Sequence, residues 1–376
     1  MRTSWSRRSD QLISLLLLST VLPVVLFIGL FFAFIPYFTR PELIFGIRFM
    51  DHENYDPIIN GLKKRNIIYD ISISLVFIVL AVILSIYISA LIASLFPILE
   101  LVPLTLVYFH FRGITKHMKD EAGEENQRNS TVSAYIPKSG PNVNALWYAL
   151  PWIELVIFIV IGILYYPSIP DRFATHFGLN GKPDEYSTKS IFSVFSLLVF
   201  TAIPLTVLLE VISYAIQRTR PGSNNAQPMK SSIQMKGFNA RIVKLLVGIN
   251  MIILVTLFLS SLIVWNVISS SYTFIVPLPV IVILPLVFWF AASSGQTGWK
   301  MYQNLNDTGG KDNTLDDDRE WAGGLVYHNK NDSKILVPKR YGVGYTFNFS
   351  NKWSWVILIV IVGIPLILIV LLILFR

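Results

Sequence analysis

The chain contains no cysteine and few charged residues. The absence of cysteine excludes a disulfide framework, a thiolate metal site and a cysteine nucleophile. Only 14% of the 376 residues are charged, whereas charged residues make up about a quarter of a soluble domain. Because 53% of the residues are hydrophobic, there is too little polar surface to enclose a water-soluble particle of this size. The composition therefore indicates an integral membrane protein.

The sequence also lacks the motifs of several enzyme and binding classes. It contains no HExxH helix and no phosphate-binding loop, and its five histidines show no metal-ligand spacing. We therefore expect no enzyme activity, no metal and no cofactor. The net charge of +8 does not require a nucleic-acid partner, because basic residues collect in the cytoplasmic loops of multi-pass proteins.

Apolar runs long enough to cross a bilayer recur along the chain. A helix needs roughly 20 apolar residues to cross the hydrocarbon. Segment 71–111 is twice that length, so we interpret it as a hairpin of two spans that turns near residues 89–94. The other predicted spans are Gln11–Phe38, Leu146–Tyr166, Ile191–Ala215, Ile242–Ile268, Tyr272–Ser294 and Trp353–Phe375. The predicted fold is an all-α polytopic membrane protein with about eight transmembrane helices.

Basic residues are concentrated in alternate loops. Loops 39–70, 112–145, 216–244 and 295–352 together hold 24 of the 31 Lys and Arg residues. Since basic loops normally face the cytoplasm, we expect a multi-pass protein of the cell membrane with both termini outside. Three arginines before the first span favour the opposite orientation of that span, and a single crossing by segment 71–111 would place the N-terminus inside.

This topology divides the chain into five segments. They are an N-terminal membrane block of three spans (1–111), a cytoplasmic linker (112–145), a central membrane block (146–294) with an outer-loop motif (165–190), a cytoplasmic module (295–352) and a C-terminal span (353–376).

The outer-loop motif carries a group of polar residues around a turn. Asn180 and Gly181 favour a tight turn because both tolerate positive φ. One interpretation is a compact loop whose polar residues satisfy its own backbone. The other is a recognition surface for a ligand or toxin, formed by Asp171, His176, Asn180, Gly181 and Asp184.

The spacing of this loop resembles that of a known family. The pattern P-D-x-x-x-x-H-F-x-x-N-G-x-P-D is held by Pro170, Asp171, His176, Phe177, Asn180, Gly181, Pro183 and Asp184. It is similar to the short domain of the bacterial toxin-immunity membrane family, over about residues 150–215. The resemblance implies immunity or envelope-stress protection against a membrane-active peptide, with the lipid bilayer, a peptide toxin at the outer face and a cytoplasmic regulator as partners.

The cytoplasmic module shows a strand-like alternation. Apolar residues alternate with polar or small ones between Ile335 and Phe347, which predicts a small β-hairpin before the last span. The segment resembles a C-terminal module of related polytopic membrane proteins at Trp321, Gly323, Gly324, Tyr327, Asn329, Asp332, Val337, Pro338, Lys339, Arg340, Gly342, Gly344, Thr346 and Asn348. A nucleotide site is not expected, because no phosphate-loop spacing and no following Lys-Ser/Thr are present. The acidic run Asp316–Asp318 is interpreted as a solvated helix start.

Acidic residues inside predicted spans are the remaining candidates. Glu100 lies near the middle of its span and Glu154 lies about two turns into the next one. Intramembrane ionisable residues are functional candidates because an unpaired charge there costs several kcal/mol. They are equally compatible with protonated, hydrogen-bonded structural groups. The alternative to immunity is therefore a transporter or exporter component that uses these glutamates, although no inverted repeat is visible.

Overall fold

Within the part of the chain that the structure describes, the fold is a set of long helices with four small two-stranded sheets. The computed structural model describes residues 4–49, 52–88, 90–123, 141–177, 183–219, 228–269, 278–305, 318–359 and 361–363. The helices are α1 (Ser4–Phe38), α2 (Asp56–Tyr87), α3 (Ala90–Ala93), α4 (Phe96–Glu121), α5 (Leu146–Tyr165), α6 (Ile191–Leu197), α7 (Ile203–Arg218), α8 (Pro228–Val264) and α9 (Leu278–Ser294), followed by the short apolar helix α10 (Lys352–Gly363).

Each sheet is an antiparallel pair of neighbouring strands. The pairs are β1 (Leu43–Ile44) with β2 (Ile47–Arg48), β3 (Arg172–Phe177) with β4 (Pro183–Thr188), β5 (Trp321–Ala322) with β6 (Val326–Tyr327), and β7 (Leu336–Pro338) with β8 (Tyr345–Phe347). The hairpin β7–β8 confirms the strands predicted from the alternating pattern before the last span.

The prediction of an all-α polytopic membrane protein is confirmed. Seven helical segments of the described chain are long and apolar enough to span a membrane: Thr20–Phe38, His52–Tyr87, Phe96–Glu121, Leu146–Ser168, Ile191–Arg218, Met229–Val264 and Leu278–Gly298. The predicted eighth span begins as α10, and its remainder, from residue 364 on, lies outside the described residues.

The segment 71–111 forms two antiparallel legs, as the sequence predicts. Helix α2 ends at Tyr87, and α3 and α4 then run antiparallel to it along its side. Phe96 packs against Phe77 with ring centroids 5.5 Å apart, in a cluster with Val25 of α1 and Ala81 of α2. Helices α1, α2 and α4 therefore form one bundle, which we call the N-terminal bundle.

Helices α5 to α8 form a second bundle, the central bundle. Phe158 of α5 stacks on Phe258 of α8 with centroids 4.1 Å apart. Between α6 and α7 the chain makes one π-helical turn, Leu198–Ala202, just before Pro204. Proline has no N–H to donate to the preceding turn, and a π turn is a common local adjustment to this loss in a membrane helix.

Several helices bury polar residues and expose apolar ones. On α4 the buried face recurs every three or four residues, at Phe96, Glu100, Leu104, Tyr108, Phe111, Thr115 and Lys119. The opposite face exposes Ile98, Val102 and Leu106, each by more than 60%. Such a distribution is unfavourable in water but suits a helix whose outer face contacts lipid.

The described parts of the four basic loops meet at one end of the two bundles. The Lys119 ammonium contacts Asp318 at 2.8 Å, and the Arg48 N–H donates to the same carboxylate at 3.2 Å. At the central bundle, Tyr345 donates to Asn239 and Gln217 donates to the Val143 carbonyl at 3.5 Å. These contacts place residues of all four basic loops on the same side of the fold.

Helices also continue beyond the predicted spans at this end. Helix α4 runs to Glu121 and α8 begins at Pro228, whereas the apolar runs end at residue 111 and begin at residue 242. Counting apolar residues detects only the part of a helix that matches the hydrocarbon, so polar extensions are missed.

Single cysteines in this cysteine-free chain should report the absolute orientation. Thr188 and Ser333 are both exposed and lie at opposite ends of the bundles. We expect Thr188→Cys to react with a membrane-impermeant maleimide in intact cells, and Ser333→Cys to react only after permeabilisation. The reverse labelling pattern would show that the basic loops face outward.

Candidate functional site

A polar stripe runs through the interior of the N-terminal bundle. Asn66, Asp70 and Ser74 follow one another at four-residue intervals on α2, so they share one face of the helix. Asn66 Nδ2 donates to Asp70 Oδ2 at 2.9 Å. Ser74 contacts the Asp70 carbonyl at 3.0 Å and Glu100 Oε1 of α4. The stripe therefore places two carboxyl groups near each other: Ser74 contacts the Glu100 carboxyl and the Asp70 backbone, and Asn66 contacts the Asp70 carboxyl.

Both carboxyl groups are withdrawn from the surface. Glu100 is 0% exposed and Asp70 is 2% exposed. Ser74 lies 13 residues before the end of α2 at Tyr87, about 20 Å along the helix axis. Glu100, which contacts Ser74, is therefore deep in the bundle, where the sequence predicts it.

The two contacts of Ser74 compete for a single hydroxyl proton. A serine hydroxyl has one proton to donate, yet Ser74 contacts both a carbonyl oxygen and a carboxyl oxygen. Both contacts are hydrogen bonds at once when Glu100 is protonated and donates to Ser74. The second oxygens, Asp70 Oδ1 and Glu100 Oε2, are buried and have no hydrogen-bond partner within the described part of the chain. The arrangement can therefore hold a proton or a small cation.

The close approach of α1 to this site depends on Gly29. A Cβ atom at this position would lie 1.6 Å from Ser74 Oγ and 3.3 Å from Glu100 Oε1. Glycine is thus required for α1 to cover the carboxyl pair.

The other predicted intramembrane acid, Glu154, lies elsewhere. It is partly buried on α5 in the central bundle, and its Oε2 atom is buried without a hydrogen-bond partner among the described residues. The structure thus groups Glu100 with Asp70 of the N-terminal bundle, and Glu154 stands in a different bundle.

The module, by which we mean described residues 295–305 and 318–351, is held to the N-terminal bundle by an ion triad. Asp318 pairs with Arg340 and with Lys119 of α4. Arg340 also donates from Nε to the Gly46 carbonyl at 2.9 Å and lies over the Trp321 ring. The expectation of a solvated acidic helix start is therefore wrong for Asp318, because two cations enclose its carboxylate; residues 316 and 317 lie outside the described residues.

Glycines of the module permit close contact with α4. Gly323 and Gly324 have φ values of 60° and 72°. The Gly323 carbonyl accepts from the Tyr108 hydroxyl at 2.8 Å. A Cβ atom at Gly324 would lie 2.5 Å from both the Tyr108 hydroxyl and an Arg112 nitrogen. Gly342 and Gly344 also have positive φ, at 94° and 107°, and they shape the turn between β7 and β8.

Two tyrosines of the module enter different bundles. Tyr341 is buried with Phe45, Tyr108 and Phe111 in the core of the N-terminal bundle, and burial, with a smaller effect of the Asp70 charge, raises the pKa of its hydroxyl well above the usual value. Tyr345 instead packs on the central bundle and donates to Asn239. Burial raises the pKa of Tyr345 as well.

Gln296 joins the turn after β7 to α9 and to the N-terminal bundle. Its side chain donates to the Lys339 and Arg340 carbonyls and accepts from the Arg40 N–H at 3.0 Å. Gln296 follows α9 directly, so this one amide connects α9, the end of α1 and the turn after β7.

The outer-loop motif folds as the antiparallel hairpin β3–β4, which we call the outer hairpin. Phe173 is buried against α8 in the core of the central bundle, whereas the Asp171 side chain is exposed and its carbonyl accepts from the Lys189 N–H at 2.8 Å. His176 lies opposite Glu185 in the strand register, and Asp184 lies on β4. Asn180 and Gly181 lie outside the described residues.

Sequence reasoning did not find Asp70 or Gln296, and it named Asp318 without finding its partners. The pattern of Asn66, Asp70 and Ser74 at four-residue spacing in an otherwise apolar helix is a signal that could have identified Asp70. Asp318 and its partner Lys119 are 199 residues apart in the chain, so no local pattern indicates their pairing. Within the described residues, no group of three or more His, Asp or Glu side chains could hold a metal ion.

Comparison with known proteins assigns no function to the chain. Residues 154–202 match a domain of unknown function (DUF1648), which covers α5 from Glu154, the outer hairpin and α6. Residues 330–355 match a family of unknown function (DUF5808), which covers the hairpin β7–β8 and the start of α10. No curated protein and no solved structure matches the chain.

Gly29 offers a direct test of the carboxyl site. Gly29→Ala should lower the free energy of unfolding by about 1–3 kcal/mol, because the added methyl group pushes α1 away from Ser74. Gly61→Ala is the matched control on α2, since a Cβ atom there meets open space, and it should be neutral or stabilising by up to about 1 kcal/mol. Thermal unfolding of both variants in detergent measures the difference. Equal melting of Gly29→Ala and the wild type would show that α1 does not contact Ser74 this closely.

Proposed function

We propose that the protein protects a bacterial cell membrane against a membrane-active peptide, and that the outer hairpin recognises that peptide. The proposal rests on the resemblance of residues 150–215 to the toxin-immunity membrane family. The structural observation that supports it is the anchoring of the outer hairpin on the central bundle.

Several contacts hold the base of the outer hairpin in one position. Phe173 and Ile169 are buried in the same cluster as Trp265 of the central bundle. The Trp265 indole donates to the Val194 carbonyl at 3.0 Å, and Lys189 donates to the Ile169 carbonyl at 2.8 Å. Recognition groups work best when a rigid scaffold positions them, and these contacts supply such a scaffold.

The exposed side of the outer hairpin has the chemistry of a contact surface. Tyr186 is 52% exposed, and the Arg172 guanidinium lies over its ring at 5.2 Å. Asp171 is exposed beside this pair. Tyrosine and arginine are enriched at protein interfaces, and a peptide that reaches the membrane surface from outside would meet them first.

Survival of cells exposed to a cationic amphipathic peptide tests this proposal. Asp171→Ala, His176→Ala and Asp184→Ala should each lower the inhibitory peptide concentration about tenfold, the effect of losing one charged hydrogen bond. Thr188→Ala is the control, because Thr188 is an exposed residue at the base of the same hairpin. Membrane levels are compared by immunoblot.

A further variant separates recognition from folding. Gly181→Val should remove protection more strongly, because a β-branched residue would strain the positive-φ turn that the sequence predicts at Asn180 and Gly181. Full protection by the three alanine variants would contradict a recognition role for the outer hairpin. Unchanged peptide sensitivity after deletion of the gene would reject protection as the function.

The carboxyl pair favours a second candidate, an ion-coupled transporter or exporter component. Asp70 and Glu100 are buried together, and each has one oxygen without a hydrogen-bond partner among the described residues. Carboxyl groups at such depth often form proton or cation pathways. This candidate needs no contribution from the outer hairpin, so the two functions predict different variant effects.

Proteoliposomes can test the transport candidate. Purified protein is reconstituted with a trapped pH dye, and proton movement is followed after a sodium or potassium gradient is imposed. Glu100→Gln and Asp70→Asn should abolish the movement, whereas Glu53→Gln, a change at an exposed residue before α2, should leave it intact. Absence of proton movement with the wild type, or its persistence in Glu100→Gln, would remove this candidate.

A further inference from the structure

A cavity of about 300 Å³ lies where the module meets the N-terminal bundle. Its walls are mainly apolar. The lining includes Phe31, Phe32 and Ile35 of α1, Thr105 of α4, and Lys339 and Tyr341 of the module. Neither bundle nor module forms this cavity alone, because each supplies part of its wall.

The module contributes two cationic side chains to the cavity wall, Arg340 and Lys339, and among the described residues a carboxylate pairs with only the first of them. The Arg340 guanidinium is occupied by Asp318 and by the Gly46 carbonyl. Lys339 also lines the cavity, and no carboxylate of the described residues lies within ion-pair distance of its ammonium group. Lys339 keeps an exposed surface while it lines the cavity, and the neighbouring protein lowers the pKa of its ammonium group because it displaces water without supplying a counter-charge. An anion beside Lys339 would supply that charge.

The cavity lies close to the predicted membrane boundary on the basic side. Ile35 is three residues before the end of α1 at Phe38, about 5 Å along the axis. The outward face of α4 beside it exposes Leu101, Leu106 and Phe109, as a lipid-contacting face does. The charged end of the cavity is thus at the depth of lipid headgroups, and its apolar walls extend toward the hydrocarbon.

We propose that this cavity binds an anionic phospholipid, with the headgroup phosphate at Lys339 and an acyl chain along the apolar walls of α1. Basic pockets between membrane helices on the cytoplasmic side are suited to anionic headgroups. A free phosphate ion would use the charge of Lys339 but would leave the apolar wall of the cavity uncovered, whereas a phospholipid matches both. This lipid would join α1 to the module and strengthen their contact. The proposal is independent of the function of the outer hairpin.

Thermal unfolding of the purified, delipidated full-length protein in detergent tests the site. Phosphatidylglycerol should raise the melting temperature of the wild type more than phosphatidylcholine does, and millimolar inorganic phosphate should not reproduce the shift. Lys339→Gln should weaken the response to phosphatidylglycerol about fivefold in half-maximal lipid concentration, as expected for one basic residue near an anionic headgroup. Lys339→Arg should retain the response.

Two further variants complete the experiment. Lys330→Gln is the matched control, because Lys330 is an exposed lysine of the same module and does not line the cavity. Thr105→Trp should remove the phosphatidylglycerol response by filling the cavity while Lys339 is intact. Melting of each variant without lipid shows whether it is folded, and the Gln and Arg variants at Lys339 decide the result even if Thr105→Trp is unstable.

Three results would overturn the proposal. The first is an equal shift with phosphatidylglycerol and phosphatidylcholine, which would show no preference for an anionic headgroup. The second is an unchanged phosphatidylglycerol response in Lys339→Gln. The third is a Lys339-dependent shift of the same size with inorganic phosphate, which would show a simple anion site rather than a lipid site.

Discussion

Asp318 accepts from Arg340 and Lys119, and Arg340 in turn donates to the backbone of the loop after α1. This triad brings together the module, the end of α4 and the first basic loop. A partly buried ion pair is unfavourable when one partner is missing, so the three charges hold these segments together as a unit. The cavity beside Lys339, the burial of Tyr341 and the glycine contacts of the module with Tyr108 all require this docking.

The second organising constraint is the cost of polar groups in hydrocarbon. A bilayer offers no water to a buried side chain or backbone group, so each must find a partner within the protein. Asn66 donates to Asp70 on α2 and Ser74 contacts Glu100 on the facing helix, and Gly29 lets α1 cover these contacts. Asp70 is also close enough to raise the pKa of Tyr341 electrostatically. The carboxyl pair therefore interacts with the module electrostatically, through Asp70 and Tyr341, as well as through packing.

Much of the fold could be predicted because its signals are local. Apolar run lengths predict the spans, the doubled length of segment 71–111 predicts its two legs, and the alternation up to Phe347 predicts β7–β8. The strands of the outer hairpin were not predicted, since its residues show no clear period of two and its anchor, Phe173, is buried by a helix distant in sequence. The partners of Asp318 could not be predicted either, because Lys119 lies 199 residues away in the chain and no local pattern marks the pairing with Arg340. Recognition by Asp171, His176 and Asp184 stays a prediction.

The separate insertion of Tyr341 and Tyr345 into the two bundles has a mechanical consequence. Only three residues of one hairpin, 342–344, separate these two tyrosines, so the chain between them is short. A rocking motion of one bundle against the other would have to extract one ring from its pocket or deform β7–β8. The hairpin β7–β8 therefore restricts movement of one bundle relative to the other. A transport cycle that requires such movement would first have to release one of the two tyrosines from its bundle.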